Sequence, residues 1–312
     1  MKIYVTGGAG YIGTHLISTL NTLGITAIAI DNLSKKPGQN FPFSNDFHKV
    51  DLSSPNAIVE LESIFSKGTE DDIVVHLAAK KSVAESVHDP ELYKMNNLGA
   101  TENLLLAIEK SEIRRLIFAS SAAVYGGANE VVSEDSDCNP ESPYAAIKLA
   151  EEDLIRQSAQ TIGLRYLILR FFNVIGAASP TMIESDGENI LPVLINRARL
   201  GKPFHIFGTD YLTPDGTCIR DYISVLDIVD AIVKALTYSG DSLILNLGTE
   251  KGYSVLELLE IAHRYIKFQE ISDERREGDA ARLITNSKLA SVTLGWAPKT
   301  PIEIAIKSAL EF

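Results

Sequence analysis

The chain has 312 residues, of which 45% are hydrophobic and 22% are charged, values that suit a globular protein with a sizeable core. Its 29 basic and 41 acidic side chains leave a net charge of -12, which disfavours nucleic acids and membrane surfaces as partners. Only two cysteines occur, and they lie outside any metal-binding pattern, so we expect no metal site. No run of residues is long and apolar enough for a signal peptide or a membrane span. Together with the few cysteines, this predicts a cytoplasmic protein.

The first 175 residues alternate short β-branched runs with longer helical patterns. Such alternation predicts a parallel sheet with helices on both faces. The predicted strands are residues 3–6, 26–30, 73–76, 116–120 and 166–169. The predicted helices between them are residues 11–23, 56–66, 90–110 and 143–161.

The regular alternation of predicted strands and helices ends after Gly176. Residues 177–189 and 208–216 are rich in small and polar residues and are typical of loops. Further helices (225–237 and 254–265) and a strand (243–247) follow. We therefore predict an α/β protein with two domains. Residues 1–176 form a doubly wound parallel sheet completed by part of the 220–250 region, and residues 177–312 form a smaller mixed α/β substrate domain.

Glycines at positions 7, 10 and 13 follow the first predicted strand and open the first helix. Gly7 permits a tight turn, Gly10 lets the backbone approach a pyrophosphate, and Gly13 lets the helix pack closely on the sheet. The first N–H groups of that helix, around Tyr11 and Ile12, are free to bind phosphate. This arrangement predicts a Rossmann-type dinucleotide site, although the turn alone could be structural.

An acidic residue, Asp31, ends the second strand, where its carboxylate can accept hydrogen bonds from ribose hydroxyls. Its charge would repel a 2′-phosphate and therefore favours NAD, while Lys35 and Lys36 keep NADP open. Asp51 suits the adenine edge, or alternatively the start of a helix. The expected adenosine contacts are Asp31, Asn32, Asp51 and Leu52.

Tyr144 and Lys148 lie four residues apart at the start of a predicted helix, so both side chains are on one face. A phenol needs a nearby cation to act as a base, and Lys148 supplies one. Ser121 ends the preceding strand and can hydrogen-bond a substrate oxygen beside Tyr144. Ser120 points the other way by alternation. We predict Ser121, Tyr144 and Lys148 as the catalytic residues.

These motifs resemble those of the UDP-glucose 4-epimerases, within the extended short-chain dehydrogenase/reductase superfamily. The resemblance extends over nearly the whole chain, and its most specific segments are late ones. The segments that carry it are residues 6–13, 31–33, 76–86, 120–126, 142–148, 169–173, 206–211, 215–222 and 275–279.

The resemblance implies further site residues. Lys81 and Asn97 would contact NAD, and a group of mostly polar residues would hold the UDP-sugar: Phe172, Asn173, Asn189, Arg220, Arg276 and Asp279. Arginines suit a diphosphate because they donate several hydrogen bonds in one plane. Phe207 would lie against the uracil. Without the resemblance, Phe207 would be interpreted as a core residue and Arg276 as a surface charge.

The sequence departs from the family in a few places. Lys80 stands where an apolar residue is usual, and Cys218 where a small residue is usual. The loop at 177–189 is short, and the chain ends soon after its last helix. None of these differences removes a catalytic group.

The implied reaction interconverts UDP-glucose and UDP-galactose. Tyr144 takes the proton of the sugar 4-hydroxyl while C4 gives hydride to NAD. The 4-keto sugar then rotates, and hydride returns to its opposite face. Alternatives are a UDP-N-acetylhexosamine or UDP-uronate 4-epimerase, or another nucleotide-sugar enzyme. Ala122 and Ala123 stand where a dehydratase has an acid and a base, and they offer a uronate decarboxylase no polar contact.

Two further expectations concern sugar size and assembly. Leu283 lies four residues after Asp279, a position that borders the hexose in relatives, although it could instead pack into the second domain. The helices at 90–110 and 143–161 would form a four-helix interface in a homodimer, with a monomer as the alternative. A catalytically silent NAD-binding regulator is disfavoured by the intact catalytic residues.

Overall fold

The computed structural model describes residues 1–35, 46–127, 131–184, 189–276 and 279–310. Lys36 lies outside these residues, as do residues 277–278 and part of the loop at 177–189. Of the helices in these five ranges, none combines the length and the apolar character needed to cross a bilayer.

The regular elements of the described residues alternate along the chain as the sequence predicts. The strands are β1 Lys2–Thr6, β2 Thr26–Asp31, β3 Phe47–Lys49, β4 Ile73–His76, β5 Arg115–Ser121, β6 Val131–Val132, β7 Arg165–Phe171, β8 Asn173–Ile175, β9 Phe204–Phe207, β10 Ile219–Ser224, β11 Leu243–Leu247, β12 Gly252–Ser254, β13 Glu270–Asp273 and β14 Arg282–Thr285. The helices are α1 Tyr11–Thr22, α2 Ala57–Phe65, α3 Val83–His88, α4 Pro90–Tyr93, α5 Ala100–Glu109, α6 Pro143–Ile162, α7 Ile190–Arg199, α8 Val225–Ala235, α9 Val255–Ala262, α10 Lys288–Leu294 and α11 Ile302–Leu310.

The central sheet has seven parallel strands in the order β11-β7-β5-β4-β1-β2-β3. The strand order reverses between β1 and β4, because the chain leaves β3 at one edge and returns beside β1. In sheets of this kind, ligands bind in the crevice beyond the carboxyl ends of the strands at that point. The predicted α/β fold class with a doubly wound parallel sheet is confirmed.

Helices cover both faces of this sheet because alternate strand residues point to opposite sides. On β1, Ile3 and Val5 belong to the core cluster that includes Leu16 of α1 and Ile228 of α8. Tyr4, between them, belongs to the opposite cluster, with residues of α2, α5 and α6. The strands are therefore buried on both faces, and their loops at the carboxyl edge are held in place from both sides.

A second, mixed sheet contains β12, β10, β14, β6 and β8. Its β10 pairs in parallel with β8 and β14 and antiparallel with β12. Tyr222 is paired with Asn173, and Arg220 with Leu283, so that predicted substrate residues lie on neighbouring strands. β9 and β13 form a separate parallel pair.

The structure corrects the helix predicted at residues 90–110. Here α4 and α5 are separated by a π-helical turn at Lys94–Gly99, and Asn97 lies inside that turn. A π turn frequently marks a functional site, and its wider spacing leaves no clear trace in a hydrophobic pattern. Helix α3 was also absent from the sequence prediction. It begins at Val83, and the side chain of the preceding residue, Ser82, accepts a hydrogen bond from the Glu85 backbone N–H.

A buried ion pair fixes α6 against the sheet. The guanidinium of Arg170, on β7, donates to both carboxylate oxygens of Glu152, at 3.0 and 2.6 Å. Ser120 of β5 donates to the same carboxylate, and Arg170 also donates to the Tyr125 hydroxyl at 2.9 Å. Both charged residues are almost completely buried. The pair thus joins α6 to two adjacent strands.

The pair leads to a prediction about stability. Glu152→Gln should lower the free energy of unfolding by about 3–5 kcal/mol, because it leaves the Arg170 charge buried without a counter-ion. Asp153→Asn is the matched control, since it removes a charge from the exposed pair with Arg156 on the same helix and should cost less than about 1 kcal/mol. Urea unfolding of both variants measures this difference, and equal losses would contradict it.

Candidate active site

The glycine turn between β1 and α1 forms a cradle, because side chains at Gly7 and Gly13 would collide with the surrounding backbone. Gly7 has φ +67°, and a Cβ there would lie 2.7 Å from the Ala78 backbone nitrogen. A Cβ on Gly13 would lie 2.1 Å from the Gly7 carbonyl oxygen. Gly10 is the residue before α1, which carries no side-chain cap at this end. The first N–H groups of α1, beginning at Tyr11 and Ile12, therefore remain available to an anion.

Asp31 lies at the carboxyl end of β2, beside this turn. Its two oxygens accept hydrogen bonds from the backbone N–H groups of Ala9, at 3.1 Å, and Leu33, at 2.8 Å. Burial raises the pKa of this carboxyl above its usual range. Leu33 has a positive φ of 57°, a strained conformation of the kind that clusters at binding sites. Each oxygen keeps a free lone pair, so the carboxylate can still accept from ribose hydroxyls.

Next to Asp31, an open cavity of about 360 Å³ is lined by Asn32, Ser34, Lys49, Asp51, Ser54 and Glu60. The Asp51 carboxylate binds the backbone and hydroxyl of Ser53, so it stabilises a turn instead of the first residues of α2. Leu52 is buried in the core. The structure thus brings two of the predicted adenosine contacts, Asn32 and Asp51, together around one cavity beside Asp31, whereas Leu52 is a core residue outside the lining of that cavity.

Lys81 lies after β4, with its ammonium 5.8 Å from the centre of the Tyr11 ring. It forms an ion pair with Glu184, which also accepts a hydrogen bond from the Asn189 side chain at 2.8 Å. The Tyr11 hydroxyl donates to the Gly176 carbonyl at 2.5 Å. One carboxylate therefore links a residue predicted to bind the cofactor to one predicted to bind the substrate.

Asn97 is fully buried, and its side-chain amide forms hydrogen bonds with both the N–H and the carbonyl group of Lys80. Its side chain accepts from the Lys80 N–H and donates to the Lys80 carbonyl, each at 2.8 Å. The π-helical turn therefore holds the segment that carries Lys81. Lys80 itself points to Glu85, with which it forms a partly exposed ion pair at 3.4 Å.

The predicted catalytic residues converge at the carboxyl end of β5. Ser121 hydrogen-bonds the Tyr144 hydroxyl, while Ser120 points to Glu152, as strand alternation predicts. Lys148 is buried one turn along α6, and its ammonium donates to the Ala119 carbonyl at 3.2 Å. Burial raises the pKa of Tyr144, whereas Lys148 and the Ser121 hydrogen bond both lower it. A further positive charge would complete the activation of this phenol as a base.

The predicted nucleotide contacts form a second group around β10. The Arg220 guanidinium donates to the Ala280 carbonyl at 2.7 Å and lies 3.3 Å from the Asp279 carboxylate. The Arg276 guanidinium lies over the Phe207 ring, 3.9 Å from its centre. Phe207 is thus a surface platform for a planar cation, not a residue of the core. Such a platform also suits a planar base.

Between these two groups lies an apolar wall. Phe172 and Leu283 pack in one cluster with Ala122, Val124, Tyr125 and Val132. Leu283 therefore packs against the segment that follows β5, not among the residues of the α7, α9 and α11 cluster. Asn173 is exposed at the start of β8.

Sequence reasoning missed several residues that complete the site. Glu184 bridges Lys81 and Asn189, and Glu151 faces Lys148 at 3.1 Å. Tyr93 packs edge-on against Tyr144, with ring centres 6.4 Å apart. Only Glu151 left a signal, because an acidic residue three positions after Lys148 shares its helix face.

Comparisons with known proteins identify the family of the chain. The NAD dependent epimerase/dehydratase family matches residues 3–248 of the chain. A UDP-glucose 4-epimerase of Azospirillum brasilense is 38% identical over 329 aligned positions, which cover 100% of this chain and 91% of that protein. The sequence resemblance is thereby confirmed.

Solved structures give the same result. The UDP-glucose 4-epimerase from Brucella ovis in complex with NAD has a TM-score of 0.90 and 33% identity, covering 99% of this chain and 97% of that chain. The enzyme from Bifidobacterium longum in complex with NAD+ and UDP has a TM-score of 0.90 and 31% identity, covering 100% and 97%. NAD, which the sequence predicts through Asp31, is confirmed as the cofactor.

The glycine turn generates a prediction that separates folding from binding. Gly13→Ala should destabilise the protein and abolish NAD binding, because its Cβ would overlap the Gly7 carbonyl. Gly10→Ala should fold, since its Cβ approaches only that carbonyl, at 3.1 Å, but should weaken NAD binding by on the order of tenfold. Thermal unfolding and calorimetric titration measure the two effects. Equal melting temperatures for the two variants would contradict this assignment.

Proposed function

The chain belongs to the NAD dependent epimerase/dehydratase family, and on that premise we propose that it interconverts UDP-glucose and UDP-galactose as a UDP-glucose 4-epimerase. The observation that carries the proposal is the meeting of Ser121, Tyr144 and Lys148 beside the point where strand order reverses. A base assembled there suits proton transfer to and from a hydroxyl of a bound ligand.

The residues of the cradle fit the cofactor. The N–H groups after Gly10, including those of Tyr11 and Ile12, hold the pyrophosphate. The Asp31 carboxylate and the cavity between Asn32 and Asp51 hold the adenosine. Lys81 also contacts the cofactor, and Asn97 positions Lys81 through its hydrogen bonds to the Lys80 backbone. When bound, NAD supplies reversible hydride transfer at the sugar C4.

Tyr144 moves the proton in this proposal. Its phenolate takes the proton of the 4-hydroxyl, and the same oxygen returns the proton in the second half of the cycle. Ser121 holds the sugar oxygen in line with the phenol. Lys148 is buried beneath both and stabilises the phenolate by its charge.

Epimerisation requires the sugar to turn over while its nucleotide stays bound. Arg220 and Arg276 carry the charge that grips the diphosphate, and Phe207 supports the uracil. Asp279 fixes the Arg220 guanidinium in advance. Asn189, at the start of α7, and Asn173, at the start of β8, offer amide groups to the UDP-sugar.

Ala122 and Ala123 argue against another reaction of the same family, the dehydration of a nucleotide sugar. A dehydratase removes water and requires both an acid and a base beside the sugar ring. Here Ala122 packs in an apolar cluster with Phe172 and Leu283, and Ala123 follows it in the same short helix. Neither alanine can transfer a proton, which favours epimerisation.

The proposal extends to assembly and location. We propose a homodimer that forms through α4, the π-helical turn, α5 and α6, a surface on which Met95 and Leu106 are exposed. Both cysteines are free thiols, which suits a reducing cytoplasm. Light scattering of the purified protein measures the first of these properties.

Replacement of the proposed base tests the function directly. Tyr144→Phe should slow the conversion of UDP-galactose to UDP-glucose by about 10²–10⁴-fold, because the ring remains but the acidic hydroxyl is lost. Chromatography of the nucleotide sugars measures the rate. NAD and UDP binding should be almost unchanged, which serves as the control. A loss of less than about tenfold would exclude Tyr144 as the base.

Leu283 leads to a prediction about sugar size. Because it is apolar, an acetamide placed against it loses its hydrogen bonds to water, at a cost of about 1–3 kcal/mol. UDP-galactose should therefore be preferred over UDP-N-acetylgalactosamine by about 10–100-fold in kcat/KM. Leu283→Ser should narrow this ratio. Kinetics with both sugars, together with melting temperatures, measure the effect. An unchanged ratio in a folded variant would show that Leu283 does not border the sugar.

A further inference from the structure

A buried carboxylate stands directly behind the catalytic lysine. Glu151 is completely buried, and its Oε2 lies 3.1 Å from the Lys148 ammonium. That contact is an ion pair without the alignment of a hydrogen bond. Its Oε1 accepts a hydrogen bond of 2.6 Å from the Thr101 hydroxyl, on α5. Glu152, the next residue, points instead to Arg170. The two glutamates therefore have separate cations.

The contacts continue from Thr101 into the central sheet. The Thr101 hydroxyl is 3.0 Å from His76 Nε2, and His76 Nδ1 is 2.6 Å from the Thr6 hydroxyl. All these side chains are buried. Burial, and then the nearby Lys148 charge, lower the pKa of His76 to about 3, so this imidazole is neutral at working pH. Glu151 is thus the group of this chain of contacts that can carry negative charge.

We propose that Glu151 is a positioning residue that holds and neutralises Lys148, so that Lys148 alone does not ionise Tyr144. The proposal rests on the base role of Tyr144 given above. An isolated ammonium beside a phenol favours the phenolate, but an ammonium paired with a carboxylate has a much weaker field at the phenol. The negative charge of Glu151 also acts directly against a phenolate and raises the pKa of Tyr144.

The consequence concerns when Tyr144 gives up its proton. With Lys148 neutralised, the phenol stays protonated until another positive charge approaches, and the oxidised nicotinamide is such a charge. Tyr144 then becomes a base when an oxidised cofactor is present and keeps its proton when the charge is gone. A base that retains the proton through the middle of the cycle can return it to the same oxygen.

Other ionisable groups around Tyr144 do not supply this control. Tyr93 packs on its ring edge, and burial together with the Glu85 hydrogen bond raises the pKa of Tyr93. Glu85 accepts from the Tyr93 hydroxyl and pairs with Lys80 at the surface. Among the residues that the structure describes, further groups near Tyr144 and Lys148 are the neutral His76 on β4, the Ser121 hydroxyl on β5 and the Glu152–Arg170 pair.

Glu151→Gln tests the proposal, because the amide can still accept from Thr101 but carries no charge. Removing the negative charge should favour the phenolate, so the pKa of Tyr144 in the NAD-bound enzyme should fall by about 0.5–1 unit. The near-ultraviolet absorbance of tyrosinate measures it, as the difference between each protein and its Tyr144→Phe counterpart. The acid limb of kcat for UDP-galactose should move to lower pH by the same amount.

Two matched variants isolate the charge. Asp153→Asn removes a charge from the exposed face of the same helix and should leave the titration unchanged. Glu151→Asp keeps the charge and should stay close to the native titration curve. A Glu151→Gln titration that moves by less than about 0.2 unit, or toward higher pH, overturns the proposal. The absorbance does not depend on turnover, so a shift without epimerase activity would refute the proposed function alone.

A second measurement applies if Glu151→Gln does not fold. Lys148→Met leaves the Glu151 carboxylate buried without its cation, whereas the double variant Lys148→Met/Glu151→Gln removes both charges. The double variant should therefore melt at a higher temperature than Lys148→Met alone. A double variant that is no more stable than Lys148→Met would show that the two charges are not coupled, which overturns the proposal.

Discussion

The cost of burying charge is the constraint on which the site depends. Helix α6 carries two consecutive glutamates, Glu151 and Glu152, and both are almost completely removed from water. A carboxylate in that position is tolerated only when a cation and hydrogen-bond donors surround it. Arg170 meets this need for Glu152, and Lys148 meets it for Glu151. Lys148 and Glu151 both lie on α6, so only the Glu152–Arg170 pair joins the helix to another element by charge. Hydrogen bonds from Thr101 to Glu151 and from Lys148 to the Ala119 carbonyl complete the attachment of α6.

This constraint places the proposed catalytic residues. Tyr144 lies two turns before the glutamates on the same helix, so the contacts that join α6 to its neighbours also set the distance between the Tyr144 phenol and Ser121. The anchor partners lie on β5, β7 and α5, which are elements of the rigid sheet and its covering layer. A small displacement of α6 would break several buried contacts together, so the base is held in position before any ligand arrives.

The sequence predicts those parts of the site that depend on local pattern. The glycine turn, Asp31 and the Tyr144–Lys148 pair follow from spacing alone, and strand alternation assigns Ser121 and Ser120 to opposite faces. The parallel sheet follows from alternating periodicities.

Contacts between distant segments could not be read in this way. Glu184 meets Lys81 more than one hundred residues away, and nothing in either local pattern indicates the pairing. The strand β3 has three residues, too few for a period, and the π-helical turn at Lys94–Gly99 looks like ordinary helix in a hydrophobic pattern. Asn97 was assigned to the cofactor by resemblance, yet both ends of its amide bind the Lys80 backbone.

The two halves of the substrate region differ in a way that follows from their contacts. Around β10, Arg220 is held by Asp279 and by the Ala280 carbonyl, so its charge is oriented before a diphosphate binds. Beside β5, the wall formed by Ala122, Phe172 and Leu283 is apolar and offers a sugar no directional bond. A hexose against such a wall can turn without breaking hydrogen bonds, because none is made there. In the proposed reaction, the nucleotide would therefore be bound tightly, and the sugar would keep the rotational freedom that inversion at C4 requires.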